Sequence, residues 1–492
     1  MSAAVQISPP LVLPFVDGRF VDPHSDRAVP VINPSNGRQL LAIPAGSDAD
    51  IDRAVQAARK AFEDGRWSEA PPSFRKKVLH RFADLIAEHA AELDALDAGE
   101  MGKPVGQLMG SAARAAGCVR FYAEAIDKIT GEVYGSDKND LVLQRRVPRG
   151  VVGAITPWNF PVYVALFKIA PALAAGNCCV IKPSEWSSRS AIRLAQLAIE
   201  AGVPGGVLNV VPGVGETVGR ALGLHNDVDM ISFTGSTVVG KLMLQYAGQS
   251  NMKVVMTETG GKSPQIVFAD GIDLDVAATS IASFLVTNAG QICTVGSRLL
   301  VQRSAEVALV DKIQARLQKI VMGDALDPKT TFGPLVSARQ HARVLRYIEN
   351  ASTDGAQLVM GGKPALSQSG GYFVEPTLFR NVAPKSALAQ EEVFGPVLSI
   401  IAFDDEDEAV RIANDTIYGL AAYVWTASLT TGMRMAKRIR SSVRIHSAAP
   451  TGEGAGYAAT NEATRQSGIG AEGGVTGMEG YLRRQRVWFS HG

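Results

Sequence analysis

Val151-Val152-Gly153-Ala154-Ile155-Thr156-Pro157-Trp158-Asn159-Phe160, followed further on by Cys178-Cys179-Val180-Ile181-Lys182-Pro183, is the stretch on which the fold turns. A short apolar run ends at Thr-Pro, a helix-like segment follows, and a second apolar run closes the unit, which reads as strand, turn, helix, strand. The alternation continues with apolar runs at 207–211, 230–234 and 265–269 and a helical segment at 187–201. It predicts a parallel α/β sheet, in which ligands sit beyond the carboxyl ends of the strands. After Cys293 the pattern repeats, with strands at 299–302 and 397–402 and helices at 305–321, 337–351 and 406–414, giving a second α/β unit. Upstream, Ser47 can cap a helix with apolar positions Ile51, Ala54, Val55, Ala58 and Phe62. A second helix follows Pro72 with Val78, Phe82, Leu85 and Ile86, and both are expected to pack on a sheet.

The chain has 492 residues, more than one core holds, since single cores stop growing near roughly 250–300 residues. With 46% apolar residues, 20% charged residues and a net charge of +1, it has the composition of an ordinary soluble protein, and its neutral balance argues against nucleic acid. The basic cluster Arg483-Arg484-Gln485-Arg486 alternates into Val487 and Phe489 and reads as an exposed strand. The opening residues lack the positive lead of a secretory signal, and no run approaches the ~18 apolar residues of a membrane helix, so a cytoplasmic protein without a membrane partner is expected. Four cysteines without CxxC spacing, and the absence of HExxH, predict neither a disulfide scaffold nor a metal site. The Gly/Ala/Thr-rich segment Ser447 to Arg465 reads as one long loop.

Several segments carry candidate chemistry. Gly213-Val214-Gly215-Glu216-Thr217-Val218-Gly219 has one residue more than the usual dinucleotide fingerprint, and either a tight turn or a diphosphate cradle accounts for it. Phe233-Thr234-Gly235-Ser236-Thr237 runs a strand into a helix start, offering hydroxyls and amides to an anion or simply capping the helix. Lys182-Pro183-Ser184-Glu185 puts a cation and a carboxylate at a strand end. A carboxylate there suits ribose hydroxyls and repels the extra phosphate of NADP, while a surface ion pair is the plain alternative. Cys293 lies among small polar residues with the access a nucleophile needs, whereas Cys178 and Cys179 sit in an apolar strand and Cys118 in a helix. Glu258, just before Gly260-Gly261-Lys262, is a candidate base or a turn acid.

Together, Thr156-Pro157-Trp158-Asn159-Phe160-Pro161, Lys182-Pro183-Ser184-Glu185, Phe233-Thr234-Gly235-Ser236-Thr237, Glu258 with Gly260-Gly261-Lys262, Gly290-Gln291-Ile292-Cys293 and Glu391-Glu392-Val393-Phe394-Gly395-Pro396 resemble the aldehyde dehydrogenase superfamily, in its order and spacing. The resemblance implies a Rossmann-like NAD-binding domain at 1–129 and 149–260, an α/β catalytic domain at 261–476, and a small β oligomerisation arm at 130–148 and 477–492 that joins subunits into a homodimer or homotetramer. It further implies Cys293 as nucleophile, Glu258 as general base, and Asn159 joining the Cys293 backbone amide in an oxyanion hole. For the cofactor it implies Lys182 and Glu185 on the adenosine ribose, Ser236 on the diphosphate, Trp158 as a wall, and Glu392 with Phe394 at the nicotinamide ribose. Ser184, Gly215 and Gly235 complete the set, and NAD is expected ahead of NADP.

Two departures stand out. The last core strand, Val443-Arg444-Ile445, ends in His446 instead of the family's asparagine, and Thr460-Asn461-Glu462-Ala463-Thr464-Arg465 replaces the usual Pro-Phe-Gly-Gly segment. His446 is expected to pack or anchor the loop, with contact to substrate or a shifted pKa as the alternative. The helix after Asn159 would turn Phe160, Val164 and Phe167 toward the aldehyde, with Ile292 and Thr294 flanking the nucleophile. This apolar lining points to a medium aliphatic or aromatic aldehyde, with no cation at these positions to hold a substrate carboxylate. A CoA-acylating relative commonly lacks the base that Glu258 supplies, and a catalytically silent member would be expected to lose the nucleophile or the oxyanion donor.

Overall fold

Strands with no polar face belong in the interior of a parallel sheet, and Val151–Ile155 and Cys178–Lys182 are buried at every position. The computed structural model describes residues 12–450 and 456–491. Residues 1–11, expected to open the dinucleotide domain, 451–455 of the long loop, and Gly492 lie outside the described residues.

The first sheet runs in the order Arg19–Phe20, Phe15–Val16, Leu208–Val210, Cys178–Lys182, Val151–Ile155, Met230–Thr234, Val254–Glu258, Gly468–Ile469. The five central strands are parallel, and the flanking pieces add antiparallel. Chain order reverses beside Val151–Ile155, the switch point where α/β sheets open a crevice for ligands. Register puts Ile155 opposite Lys182 and Thr234 opposite Glu258, so the residues that follow these positions emerge together at one edge.

Ser47 caps the helix Asp48–Glu63, its side chain accepting from the Asp50 N–H, and this helix lies on the sheet as expected. The helix Pro72–Glu88 does not. Its apolar face packs on the helices Ala112–Ala125 and Arg189–Ala201. The crossover helices Pro161–Ala174 and Arg189–Ala201, tied by short turns to the strands they join, already occupy that face of the sheet.

The second sheet orders Gln357–Met360, Thr377–Arg380, Val397–Phe403, Arg298–Gln302, Pro264–Val267, Ala421–Trp425 and Ser442–His446, parallel except at its first edge. Of these, Gln357–Met360, Thr377–Arg380 and Ala421–Trp425 go beyond the sequence expectation. The helix expected at 305–321 ends earlier, spanning Glu306–Leu317.

The segment expected as one loop has structure in its described part. Asn461–Glu462 pairs with Ala471–Glu472, and between them Gly468–Ile469, just past that segment, joins the first sheet along Thr257–Glu258. Strands of two residues have no periodicity to read; backbone and hydroxyl hydrogen bonds, such as Thr259 N–H to the Ser467 carbonyl at 2.8 Å, create them. A third sheet stands apart. Glu132–Tyr134, Asp140–Pro148 and Leu482–Ser490 are antiparallel, with Leu482 opposite Pro148 and Ser490 opposite Asp140. Among the described residues no helix is long and apolar enough to cross a membrane.

Candidate active site

Cys293 follows a backbone that only its neighbours hold in place. Asn288, Ala289 and Gly290 are left-handed in succession, with φ of 48°, 51° and 72°, a conformation that costs non-glycine residues roughly 1 kcal/mol or more each. Side-chain amides hold it. Asn288 Nδ2 donates to the Asn159 carbonyl at 2.8 Å, Gln291 Nε2 donates to the Asn288 carbonyl at 3.0 Å, and Gln291 Oε1 accepts from Val336 N–H at 3.0 Å. Gly290 is required twice, since a Cβ there would lie 2.4 Å from the Gly395 carbonyl oxygen. Asn159, buried beyond the end of Val151–Ile155, donates from Nδ2 to the Gln291 carbonyl at 3.0 Å, which fixes its amide beside the cysteine loop.

The Cys293 thiol is partly accessible, and burial, with Glu258 and Glu392 nearby, pushes its pKa well up. It therefore rests as a thiol and needs a proton acceptor. Cys118, Cys178 and Cys179 are fully buried, and burial pushes the Cys178 thiol up to about 12, as inert core cysteines require.

Glu258 ends its strand at the same edge. Burial raises its pKa well above the usual carboxylate range, and Glu472, which shares a hydrogen bond with it, raises it further. Glu472 is the ionised partner of the pair, held low mainly by Lys168, whose Nζ reaches it at 2.7 Å. Lys168 also reaches Ser232 Oγ at 3.3 Å, and Ser232 meets the Tyr481 hydroxyl at 2.9 Å. Sequence reasoning missed Lys168, Glu472, Ser232 and Tyr481. Lys168 left one signal, a lysine within the otherwise apolar helix Pro161–Ala174. A shallow recess lined by Glu258, Glu472, Asn461, Ala463, Ile469 and Gly470 among others opens beside the carboxylate pair.

Most of the remaining candidates collect along the strand ends. Lys182 is buried and pairs with Glu185 at 3.3 Å. Ser184 Oγ accepts from Trp186 N–H at 3.3 Å, and Ser236 caps the helix Thr237–Gln249, so both hydroxyls also serve local turns. Gly215 begins a wide helical turn over Gly215–Gly219 with open space where a side chain would stand. Gly235 N–H donates to the Glu258 carbonyl at 3.1 Å. Trp158 meets Phe394 edge-on at 5.3 Å and Trp186 at 5.9 Å.

Glu392 Oε1 accepts from Gly261 N–H at 3.0 Å. A Cβ on Gly260 would lie 2.5 Å from Glu392 Oε2, and one on Gly261 would lie 2.6 Å from the Cys293 carbonyl oxygen. The glycine pair therefore lets this carboxylate and the cysteine loop close on one strand end. Burial raises Glu392 to about 7, while burial and Arg298 bring Lys262 down to about 7.

Phe160, Ile292 and Val295 form a small apolar cluster at the cysteine loop, with Tyr163, Val164 and Phe284 partly buried against it. Phe167 is one turn further out and contacts Tyr163. Thr294 accepts at its carbonyl from the Tyr423 hydroxyl at 3.0 Å. His446 stacks on Trp425 at 4.5 Å, which is the packing role expected of it.

Comparison with known proteins gives a consistent result. The sequence model described as the Aldehyde dehydrogenase family matches residues 20–487. The NADP/NAD-dependent aldehyde dehydrogenase PuuC of Escherichia coli (strain K12) is 41% identical over 484 residues, covering 97% of this chain and 95% of that protein. The crystal structure of the aldehyde dehydrogenase KauB from Pseudomonas aeruginosa superposes with TM-score 0.94 at 46% identity, covering 97% of this chain and 96% of that one. An indole-3-acetaldehyde dehydrogenase solved with NAD+ superposes with the same TM-score at 45% identity and the same coverage.

Proposed function

The chain belongs to the aldehyde dehydrogenase family, and from that premise we propose that it oxidises an aldehyde to a carboxylic acid with NAD and water through a thioester on Cys293. One arrangement carries this reading: a half-buried cysteine lies near a half-buried carboxyl whose proton has a way out.

The residues fit a dinucleotide. Gly260 leaves open a space beside Glu392 that a Cβ would fill, and Lys182 with Glu185 offers a cation and a carboxylate at a neighbouring strand end. Glu392 with Phe394 would hold the nicotinamide ribose, Lys182 and Glu185 the adenosine ribose, and Ser184, Gly215, Gly235 and Ser236 the turns around the diphosphate. When bound, the nicotinamide accepts the hydride lost by the substrate carbon.

Cys293 gives its proton to ionised Glu258 as sulfur adds to the carbonyl carbon, leaving a tetrahedral alkoxide, and Glu258 passes that proton on through Glu472 before the second half of the reaction. The Asn159 amide and the Cys293 backbone N–H donate to that oxygen, so charge develops where donors are already oriented. Collapse leaves an acyl group on sulfur. Glu258, once ionised, takes a proton from water as it attacks the thioester, Cys293 leaves as thiolate, and the acid departs. Glu472 and Lys168 then offer the Glu258 proton a route away from the site, and the recess beside the pair brings water within reach.

Glu185 favours NAD over NADP in this reading. The segments 1–129 with 149–260, 261–476, and 130–148 with 477–492 act as cofactor domain, catalytic domain and arm. Exposed Val133, Tyr134, Leu141, Trp488 and Phe489 on the arm suit a homodimer or homotetramer. Free cysteines suit a reducing cytoplasm. The substrate is a medium aliphatic or aromatic aldehyde. The test is NADH formation at about 340 nm, the nicotinamide absorbance, with Cys293→Ala beside the native chain. Turnover by the native protein and none by the variant is expected; turnover by both would sink the thioester.

A further inference from the structure

The helix Pro161–Ala174 turns a row of side chains, Phe160, Tyr163, Val164 and Phe167, to one side at helical spacing. The row begins at the cysteine loop, where Phe160 packs with Ile292. It runs outward with Tyr163 and Phe167 in ring contact at 4.8 Å, and ends where Phe167 meets Tyr457 at 5.7 Å. From Phe160 to Phe167 the helix rises by about 10 Å at ~1.5 Å per residue. That length holds a ring and a short linker and is too short for a long chain.

Tyr457 lies within the long loop, just ahead of the altered segment, and the helix Ala112–Ala125 fastens it. Its hydroxyl donates to the Arg114 carbonyl at 2.5 Å, and its ring lies on Gly117, where a Cβ would stand 2.8 Å from the ring edge. Gly117 is inside the helix Ala112–Ala125, a place where glycine weakens a helix relative to alanine. Its backbone does not need glycine, since its φ is not positive. The space it leaves is filled by the Tyr457 ring.

We infer that Tyr457, seated on Gly117, is the specificity-determining residue of an aromatic slot, and that the preferred substrate is an aldehyde carrying a planar arene one or two carbons from its carbonyl. Four rings along one wall, Phe160, Tyr163, Phe167 and Tyr457, favour edge and offset contacts with an arene, while an alkyl chain gains only its buried area. Lys168 is fully buried and engaged by Glu472 at 2.7 Å, so it offers nothing to an anionic substrate. This inference rests on Cys293 as the nucleophile.

The experiment compares kcat/KM for acetaldehyde, hexanal, phenylacetaldehyde and succinic semialdehyde in the native protein, Tyr457→Ala, Tyr457→Phe and Gly117→Ala. The native protein is expected to favour phenylacetaldehyde over hexanal by roughly tenfold, the scale of one or two ring contacts. Tyr457→Ala and Gly117→Ala should erase that ratio, and Tyr457→Phe should keep it because the ring stays. A Tyr457→Ala protein with the native ratio would overturn the inference. So would a native preference for hexanal or for succinic semialdehyde. If the native protein oxidises acetaldehyde yet shows no arene preference, only this inference fails; if it oxidises none of the four, the thioester reading fails with it.

Discussion

Glu258 and Glu392 are two half-buried glutamates beside one cysteine, and loss of solvent raises both, yet their surroundings suit opposite tasks. Glu258 shares a hydrogen bond with Glu472, and through it reaches Lys168. Glu392 instead accepts from the Gly261 N–H and has Lys262 and Arg343 near enough to favour its ionised form. The first carboxyl has a neighbour that can pass a proton on; the second has neighbours that only hold it. Burial makes an acid unusual, and what it connects to decides whether it can be a base.

The largest contrast should come from removing each carboxylate. Glu258→Gln is expected to lower steady-state turnover by about 10²–10⁴-fold while leaving one burst of NADH per site in stopped-flow measurement. Glu392→Gln should instead raise the KM for NAD by roughly ten- to a hundredfold, the scale of a lost charge-assisted hydrogen bond. If both variants lose the burst alike, the two carboxylates are not distinct.

Gly260→Ala should follow Glu392→Gln at smaller size, about tenfold in the KM for NAD, because its Cβ would press on Glu392 Oε2 at 2.5 Å. Acetaldehyde turnover at saturating NAD should change less than that KM. A variant with native KM would show that the carboxylate does not need this space.

Acidity separates them more finely. Glu472 raises Glu258, so Glu472→Gln should move the acid limb of the deacylation rate to lower pH. The base is active above its pKa, and lowering that pKa keeps it ionised further into acid. A limb that moves upward or stays fixed would argue against coupling of the pair.

Glu392 is protonated below about 7 in the free enzyme. The KM for NAD should therefore rise as pH falls through that region, and the rise should vanish in Glu392→Gln. A flat native profile would show that the bound cofactor does not use this carboxylate.

Sequence reasoning reached what is local and chemical. The strands Val151–Ile155 and Cys178–Lys182 are legible because interior strands carry no polar face, and Met230–Thr234 because its apolar run ends in Gly-Ser-Thr. Thr377–Arg380 and Ala421–Trp425 were less so, one being four residues long after a proline and the other opening on two alanines. The helix Pro72–Glu88 showed its apolar face, but not that other helices would cover it. Cys293, Glu258 and Glu392 could be singled out because they stand in recognisable segments. Glu472 could not, since 304 residues separate it from Lys168 and its own neighbourhood is an ordinary glycine-rich turn. The aromatic wall was legible only from Phe160 to Phe167, because Tyr457 joins it through a segment whose path no periodicity encodes.

The short strand Gly468–Ile469 has a consequence for how this protein is born. It pairs with Thr257–Glu258, and Glu472 and Tyr481 follow it into contact with Lys168 and Ser232. During synthesis the cysteine and the first sheet leave the ribosome long before these residues exist. Domains fold as their chain emerges, so a dinucleotide pocket and a thiol could form on the nascent chain while the proton route is still missing. The proton route is then completed late, and a chain cut short before residue 468 would keep Cys293 and Glu258 but lack Glu472, the group that links Glu258 to Lys168.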